Sequence, residues 1–90
     1  MNPETRILYC DPSCVAVNKL PGEVVEGAKP GMPSLPELVA RELARGDYPT
    51  LSAKDALSVP VAAHRLDAPV SGCVLFARSR AVAGLFEQRL

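Results

Sequence analysis

Ninety residues, 48% of them hydrophobic and 22% charged, have ordinary globular composition, too apolar for a disordered chain and not apolar enough for a membrane protein. At this length only about 60% of the unfolded chain's surface can be buried, so stability is expected to be marginal. Ten Lys and Arg balance ten Asp and Glu, which argues against an autonomous nucleic-acid binder, although residues 64 to 90 are mildly positive, with Arg65, Arg78, Arg80 and Arg89 against Asp67 and Glu87.

The chain opens Met-Asn-Pro-Glu-Thr-Arg, without an apolar segment of signal-peptide length, and no later run approaches the roughly 18 apolar residues of a membrane span. A soluble, cytoplasmic protein with no membrane partner is expected. Residues 7–10 and 14–18 are β-prone runs separated by Asp11-Pro12-Ser13, a turn signal because Asp bonds its own backbone and Pro fixes φ. The prediction is a β-hairpin. Cys10, Cys14 and Cys73 are odd in number and lie in or beside apolar runs, where a free thiol behaves as a small hydrophobe. Cys10 and Cys14 are three residues apart and the sole histidine, His64, is distant, so no metal site is expected.

Pro21, Gly22, Gly27, Pro30, Gly31 and Pro33 break regular structure between residues 19 and 33, with Glu23-Val24-Val25 able to pair briefly. Ser34 offers an N-cap, Pro36 and Glu37 suit a first turn, and Leu35, Leu38, Val39 and Leu43 recur at helical spacing before Gly46, predicting a helix over 35–45. Residues 47–58 read as polar and irregular, with a helical turn over 52–57. Apolar runs at 59–63 and 72–77 predict two strands around a charged loop, and Ser79 is placed to cap a last helix with Val82, Leu85 and Phe86 on one face. That helix pattern runs to Leu90 without a C-cap, so the chain is expected to be cut rather than finished.

The chemistry concentrates in His64-Arg65-Leu66-Asp67-Ala68-Pro69-Val70-Ser71-Gly72, between the two apolar strands. Asp67 has the chemistry of a nucleophile, a general base or a metal ligand, and Arg65 that of a phosphate holder or a partner for Asp67. The bland alternatives are a turn-forming Asp67, a hydrogen-bonded His64 and a solvated Arg65. Residue chemistry alone leaves all of these open. Ser71 lacks a Gly-x-Ser-x-Gly elbow, which argues against a serine hydrolase.

His64-Arg65-Leu66-Asp67, followed after three residues by Ser71-Gly72 and an apolar strand, resembles the His-Arg-Leu-Asp-x-x-Thr-Ser-Gly signature of RluA-type pseudouridine synthases. Upstream, Ile7 to Tyr9, then Val15-Ala16-Val17-Asn18-Lys19 and Gly22, resemble that family's opening, a hairpin leading into an Asn-Lys-Pro-x-Gly turn. Val70 stands where the family usually has Thr, and Leu20 where the turn usually has Pro.

The resemblance implies an α+β fold, a mixed, mainly antiparallel sheet with two or three short helices. Residues 1–90 would be the N-terminal part of a single, incomplete catalytic domain without a separate S4-like domain. It implies an isomerase that turns uridine in ribosomal or transfer RNA into pseudouridine, breaking the N-glycosidic bond, rotating the uracil and rejoining it through carbon, with no metal or cofactor. Asp67 would be the catalytic carboxylate, attacking either the sugar carbon or the uracil ring. An aspartate suits this because it is ionised at neutral pH without a separate base. Arg65 and His64 would face RNA, with Asn18, Lys19, Ser71 and Gly72 supporting the loop. The family's later tyrosine and basic motifs have no counterpart here, so the 90 residues alone are expected to be inactive. A truncated sheet would also expose strand edges and self-associate. The alternative is a noncatalytic remnant using Arg65, Arg78 and Arg80 to touch RNA or protein.

Overall fold

The computed structural model describes residues 6–26, 29–49, 55–64 and 66–89. Strand β1 (Ile7–Cys10) turns through Asp11-Pro12-Ser13 into β2 (Cys14–Lys19), and helix α1 (Leu35–Arg45) follows the proline- and glycine-rich segment. Then come β3 (Ala56–Ala62), β4 (Gly72–Ser79) and helix α2 (Arg80–Arg89). The four strands form one antiparallel sheet in the order β1-β2-β4-β3. This is the α+β architecture with two helices that the sequence predicts.

The hairpin closes where expected. The Asp11 N–H donates to the Cys14 carbonyl at 3.0 Å, and Asp11 Oδ1 accepts the N–H groups of Ser13 at 2.7 Å and Cys14 at 2.8 Å. Strand β2 then alternates, burying Val15, Val17 and Lys19 on one face. Opposite Val15 and Val17 stand Phe76 and Val74 of β4. Helix α1 lays Leu35 and Val39 into the same core, joined by Val25, with Ile7, Cys10, Leu43, Ala62 and Leu66 packed around it. Each large apolar side chain so buried contributes about 1.5–3 kcal/mol relative to water exposure.

Helix α1 has the predicted bounds but not the predicted ends. Ser34 is the N-cap residue, yet its hydroxyl makes no bond to the helix backbone and instead donates to Glu37 Oε1 at 3.1 Å. Pro36, at the second helical position, lacks one of the N–H groups that a capping oxygen would take. At the other end Gly46 has φ −93, an ordinary value for any residue. The Tyr48 ring covers that glycine, with Cε2 2.1 Å from where a Cβ would stand, so a larger residue there would have to displace the ring.

Two expectations need correction. The helical turn expected over 52–57 is replaced at Ala56 and Leu57 by the start of β3, while 52–54 lie outside the described residues. Strand β4 continues two residues past Ala77, and Ser79 gives Ala56 a pairing partner across a bulge. That gain is long-range, so local polarity does not reveal it. Pro60, inside β3, is tolerated because β3 is an edge strand. In α2, Ser79 Oγ accepts the Val82 N–H at 3.2 Å as predicted, and Leu85 is 51% exposed beside the half-buried Val82 and Phe86.

Candidate active site

The connection from β3 to β4 begins by extending the ladder. The Ala63 N–H donates to the Leu75 carbonyl at 2.8 Å, and the Leu75 N–H donates to His64 Nε2 at 3.3 Å. His64 is exposed, but one ring nitrogen is already occupied by the sheet. Arg65 lies outside the described residues. Leu66 turns inward against the core, and Asp67, next along the chain, is exposed.

Asp67 opens a reverse turn closed by the Val70 N–H on its carbonyl at 2.9 Å. The Ala68 carbonyl faces the other way, towards the end of β2. There the chain makes a second turn, Leu20-Pro21-Gly22-Glu23, closed by the Glu23 N–H on the Leu20 carbonyl at 3.2 Å. Proline at the second position and glycine at the third, with φ +92, are what a type II turn requires. The Gly22 N–H donates to the Ala68 carbonyl at 2.6 Å, so the two turns are fastened together.

Lys19 completes the joint. Fully buried, it sends Nζ to three carbonyl oxygens: Ala68 at 2.9 Å, Val70 at 2.5 Å and Leu20 at 3.2 Å. An ammonium has three donors, and all are engaged. Lys19 is therefore spent on the backbone of both turns and presents no charge to a ligand. Gly72, directly opposite Lys19 in the ladder, has φ +148, and a Cβ there would stand 3.4 Å from Leu66 Cδ1. Asn18 pairs with Cys73 in the sheet, and its carbonyl accepts from Arg6 Nε at 2.9 Å. Ser71 is exposed, with no hydrogen bond to its hydroxyl among the described residues.

The Asp67 carboxylate likewise has no hydrogen bond or ion pair among the described residues. Its backbone is pinned, while no described residue takes up its charge. That combination is what a carboxylate needs to act on a bound molecule rather than to hold the fold.

Other candidates are committed elsewhere. Arg78, which a binding-only reading would turn towards RNA, donates through Nη1 to the carbonyls of Asp11 at 2.7 Å and Pro49 at 2.5 Å and to Cys10 Sγ at 3.3 Å. Burial raises the Cys10 thiol above its ordinary pKa against the opposing pull of Arg78, and burial with the Asp11 charge raises Cys14, so neither is poised as a thiolate. Among the described residues no group of three His, Cys, Asp or Glu is placed to hold a metal, and no helix is long and apolar enough to cross a membrane. Asp67 lines neither of two hollows, of about 670 and 480 Å³, which flank the start of α1.

Sequence reasoning passed over Arg6 and Glu23. Arg6 Nη2 donates to Glu23 Oε1, the same oxygen that accepts the Leu20 N–H at 2.8 Å. The pair spans 17 residues and leaves no periodic or motif signal. A family model described as RNA pseudouridylate synthase matches residues 13–90. Searches among curated proteins and among solved structures give no match.

Proposed function

This chain belongs to the RNA pseudouridylate synthase family, and from that premise we propose that it isomerises uridine to pseudouridine in ribosomal or transfer RNA, in the cytoplasm, with Asp67 as the catalytic carboxylate. The RluA-type branch is the one its His64-Arg65-Leu66-Asp67 segment resembles. The observation that carries the reading is the state of Asp67, an exposed carboxylate with no partner among the described residues, on a turn whose backbone is held from behind by Lys19 and Gly22. A backbone held from behind fixes where the carboxylate starts from, which is one part of the positioning that catalysis needs.

The reaction leaves the composition of the nucleotide unchanged: the bond from ribose C1′ to uracil N1 breaks, the ring turns, C1′ bonds to C5, and the proton lost from C5 is balanced by one gained at N1. No oxidant, metal or cofactor is needed. The target base has to leave its stack, which costs about a few kcal/mol, offset by contacts with phosphate and by substitute stacking. Arg65 is suited to this because a guanidinium bonds phosphate with two donors and also stacks on a base. His64, occupied at Nε2, faces RNA with the remainder of its ring. Asn18, Lys19, Ser71 and Gly72 act as loop support.

In this reading residues 1–90 form the N-terminal part of one catalytic domain. A tyrosine beside the base and a cationic partner for Asp67 come from further along that domain, so the 90 residues alone are inactive. The two sheet edges, β1 with Leu8 and Tyr9 at 58% and 55% exposure and β3 with Val59 and Val61 at 44% each, make the isolated segment self-associate. Sedimentation should show oligomers that Val59→Lys with Val61→Lys shifts towards monomer; a parent segment that is already a single monomeric species contradicts this.

The deciding experiment measures pseudouridine in bulk RNA from cells lacking the gene, complemented with the full-length parent or with Asp67→Ala. The parent restores a pseudouridine that Asp67→Ala does not. Restoration by Asp67→Ala sinks the reading, and a parent that binds RNA but forms no pseudouridine leaves the noncatalytic alternative standing.

A further inference from the structure

We propose that the pair formed by buried Arg6 and half-buried Glu23 is a positioning device for the Asp67 turn, acting through the Leu20–Glu23 turn. The inference rests on Asp67 being the reacting carboxylate, but neither Arg6 nor Glu23 is among the residues given a role in the proposed function, and Arg6 precedes the stretch matched by the family model.

The contacts form a continuous path. Arg6 is 8% exposed and forks between two elements, giving Nε to the Asn18 carbonyl at the end of β2 and Nη2 to Glu23 Oε1. That carboxylate oxygen also accepts the Leu20 N–H at 2.8 Å, so Arg6 and Glu23 together close the turn across its open side. A turn closed in this way presents the Gly22 N–H to the Ala68 carbonyl, one residue beyond Asp67. Lys19 grips the same two turns from inside through Leu20, Ala68 and Val70. The Asp67 turn is therefore held by two independent anchors, and the outer one depends on a side-chain ion pair.

The geometry of Arg6 matters as well as its charge. A guanidinium offers planar, divergent donors that reach a carbonyl and a carboxylate at once, whereas an ammonium acts as a point charge. Removing Glu23 leaves Arg6 buried without its counter-ion and the Leu20 N–H without its acceptor. The turn loosens, and the Gly22 bond to the Asp67 turn goes with it. Displacement of about 1 Å at a reacting group can lower a rate about 100-fold, and partial loosening with Lys19 still in place should lower it by about a tenth of that.

The test uses the full-length protein and total RNA from cells lacking the gene, with rates of pseudouridine formation followed against RNA concentration. Glu23→Ala should lower kcat about 10-fold with KM within about twofold of the parent, because the turn is moved but no RNA contact is removed. Glu23→Gln, which keeps an oxygen for both donors, should recover most of the loss. A folded Glu23→Ala protein with the parent's kcat, or one whose loss only tracks its unfolded fraction, overturns the proposal. Should Glu23→Ala not fold, Arg6→Lys decides: it keeps the charge and loses the fork, and kcat lowered at least about threefold supports the proposal while an unchanged kcat overturns it. Asp67→Asn in the same assay separates the two claims. If it stays active the site reading falls, and if it is inactive while Glu23→Ala keeps full kcat, only the positioning role falls.

Discussion

Asp11 and Asp67 occupy turns at opposite ends of the same sheet, one joining β1 to β2 and the other leading from β3 into β4. Asp11 is consumed by its turn: one oxygen takes the N–H groups of Ser13 and Cys14, and the other takes the Tyr9 hydroxyl at 2.6 Å. Asp67 gives its turn only a backbone carbonyl, leaving the carboxylate without a partner among the described residues. The work that Asp11 does for its own turn is done for Asp67 from outside, by Lys19 and by Gly22. A side chain relieved of holding its loop is available for chemistry, and the fold carries the cost elsewhere.

Substituting each aspartate is the sharpest way to break that contrast. Asp67→Asn should abolish pseudouridine formation, by at least about 10⁴-fold if it is the nucleophile. The same change should alter unfolding free energy by less than about 0.5 kcal/mol, as surface substitutions away from structural features do. Urea denaturation and RNA product analysis on one preparation give both numbers. A large stability loss would mean that the carboxylate holds the fold after all.

Next in size is the anchor that replaces it. Lys19→Met keeps the buried stem but strips a donor from the Leu20, Ala68 and Val70 carbonyls. Lost charge-assisted bonds of this kind are worth about 1.5–3 kcal/mol each, while removal of a buried charge returns part of its desolvation cost. A net loss of about 2–3 kcal/mol is expected. Lys19→Arg should not rescue it, because a planar fork does not match three converging carbonyls. Equal urea midpoints for Lys19→Met and the parent would show that the Asp67 turn holds itself.

These contrasts also mark what was legible in the sequence. The hairpin and α1 are local: Asp11-Pro12-Ser13 encodes its own turn, and Leu35, Val39 and Leu43 recur at helical spacing, so both lie where expected. Asp67 was visible as a carboxylate in a loop between two apolar runs, and the structure puts it in such a loop. The support of its turn is not visible in the sequence, because that depends on a lysine about fifty positions earlier reaching the Ala68 and Val70 carbonyls. The early start of β3 was hidden for a related reason, since Ala56 becomes a strand residue only by pairing with Ser79. Arg78 looked like a surface cation in a mildly basic stretch, yet it ties β4 to Asp11 and Pro49. Charge in a sequence does not say whether the fold or a ligand will use it.

The smallest effect separates the two aspartates by acidity. The Tyr9 hydroxyl first, then the Cys14 and Ser13 N–H groups, hold the Asp11 carboxyl below its ordinary pKa of 3.8, and Asp11 in turn raises that of Tyr9. In the folded chain Asp11 thus binds its proton less readily than in the unfolded chain. Its contribution to stability is present above the ordinary carboxylate value and is lost as pH falls through the lower, folded value. Asp11→Asn should flatten the acid limb of stability against pH in that window, leaving pseudouridine formation at neutral pH unchanged, since the turn lies at the end of the sheet away from Asp67. Tyr9→Phe should flatten it less, because the two backbone donors remain. Thermal melts stepped down through the carboxylate range measure this directly. An acid limb identical in parent and Asp11→Asn would mean that the hairpin's bonds to Asp11 do not distinguish its charged from its neutral form.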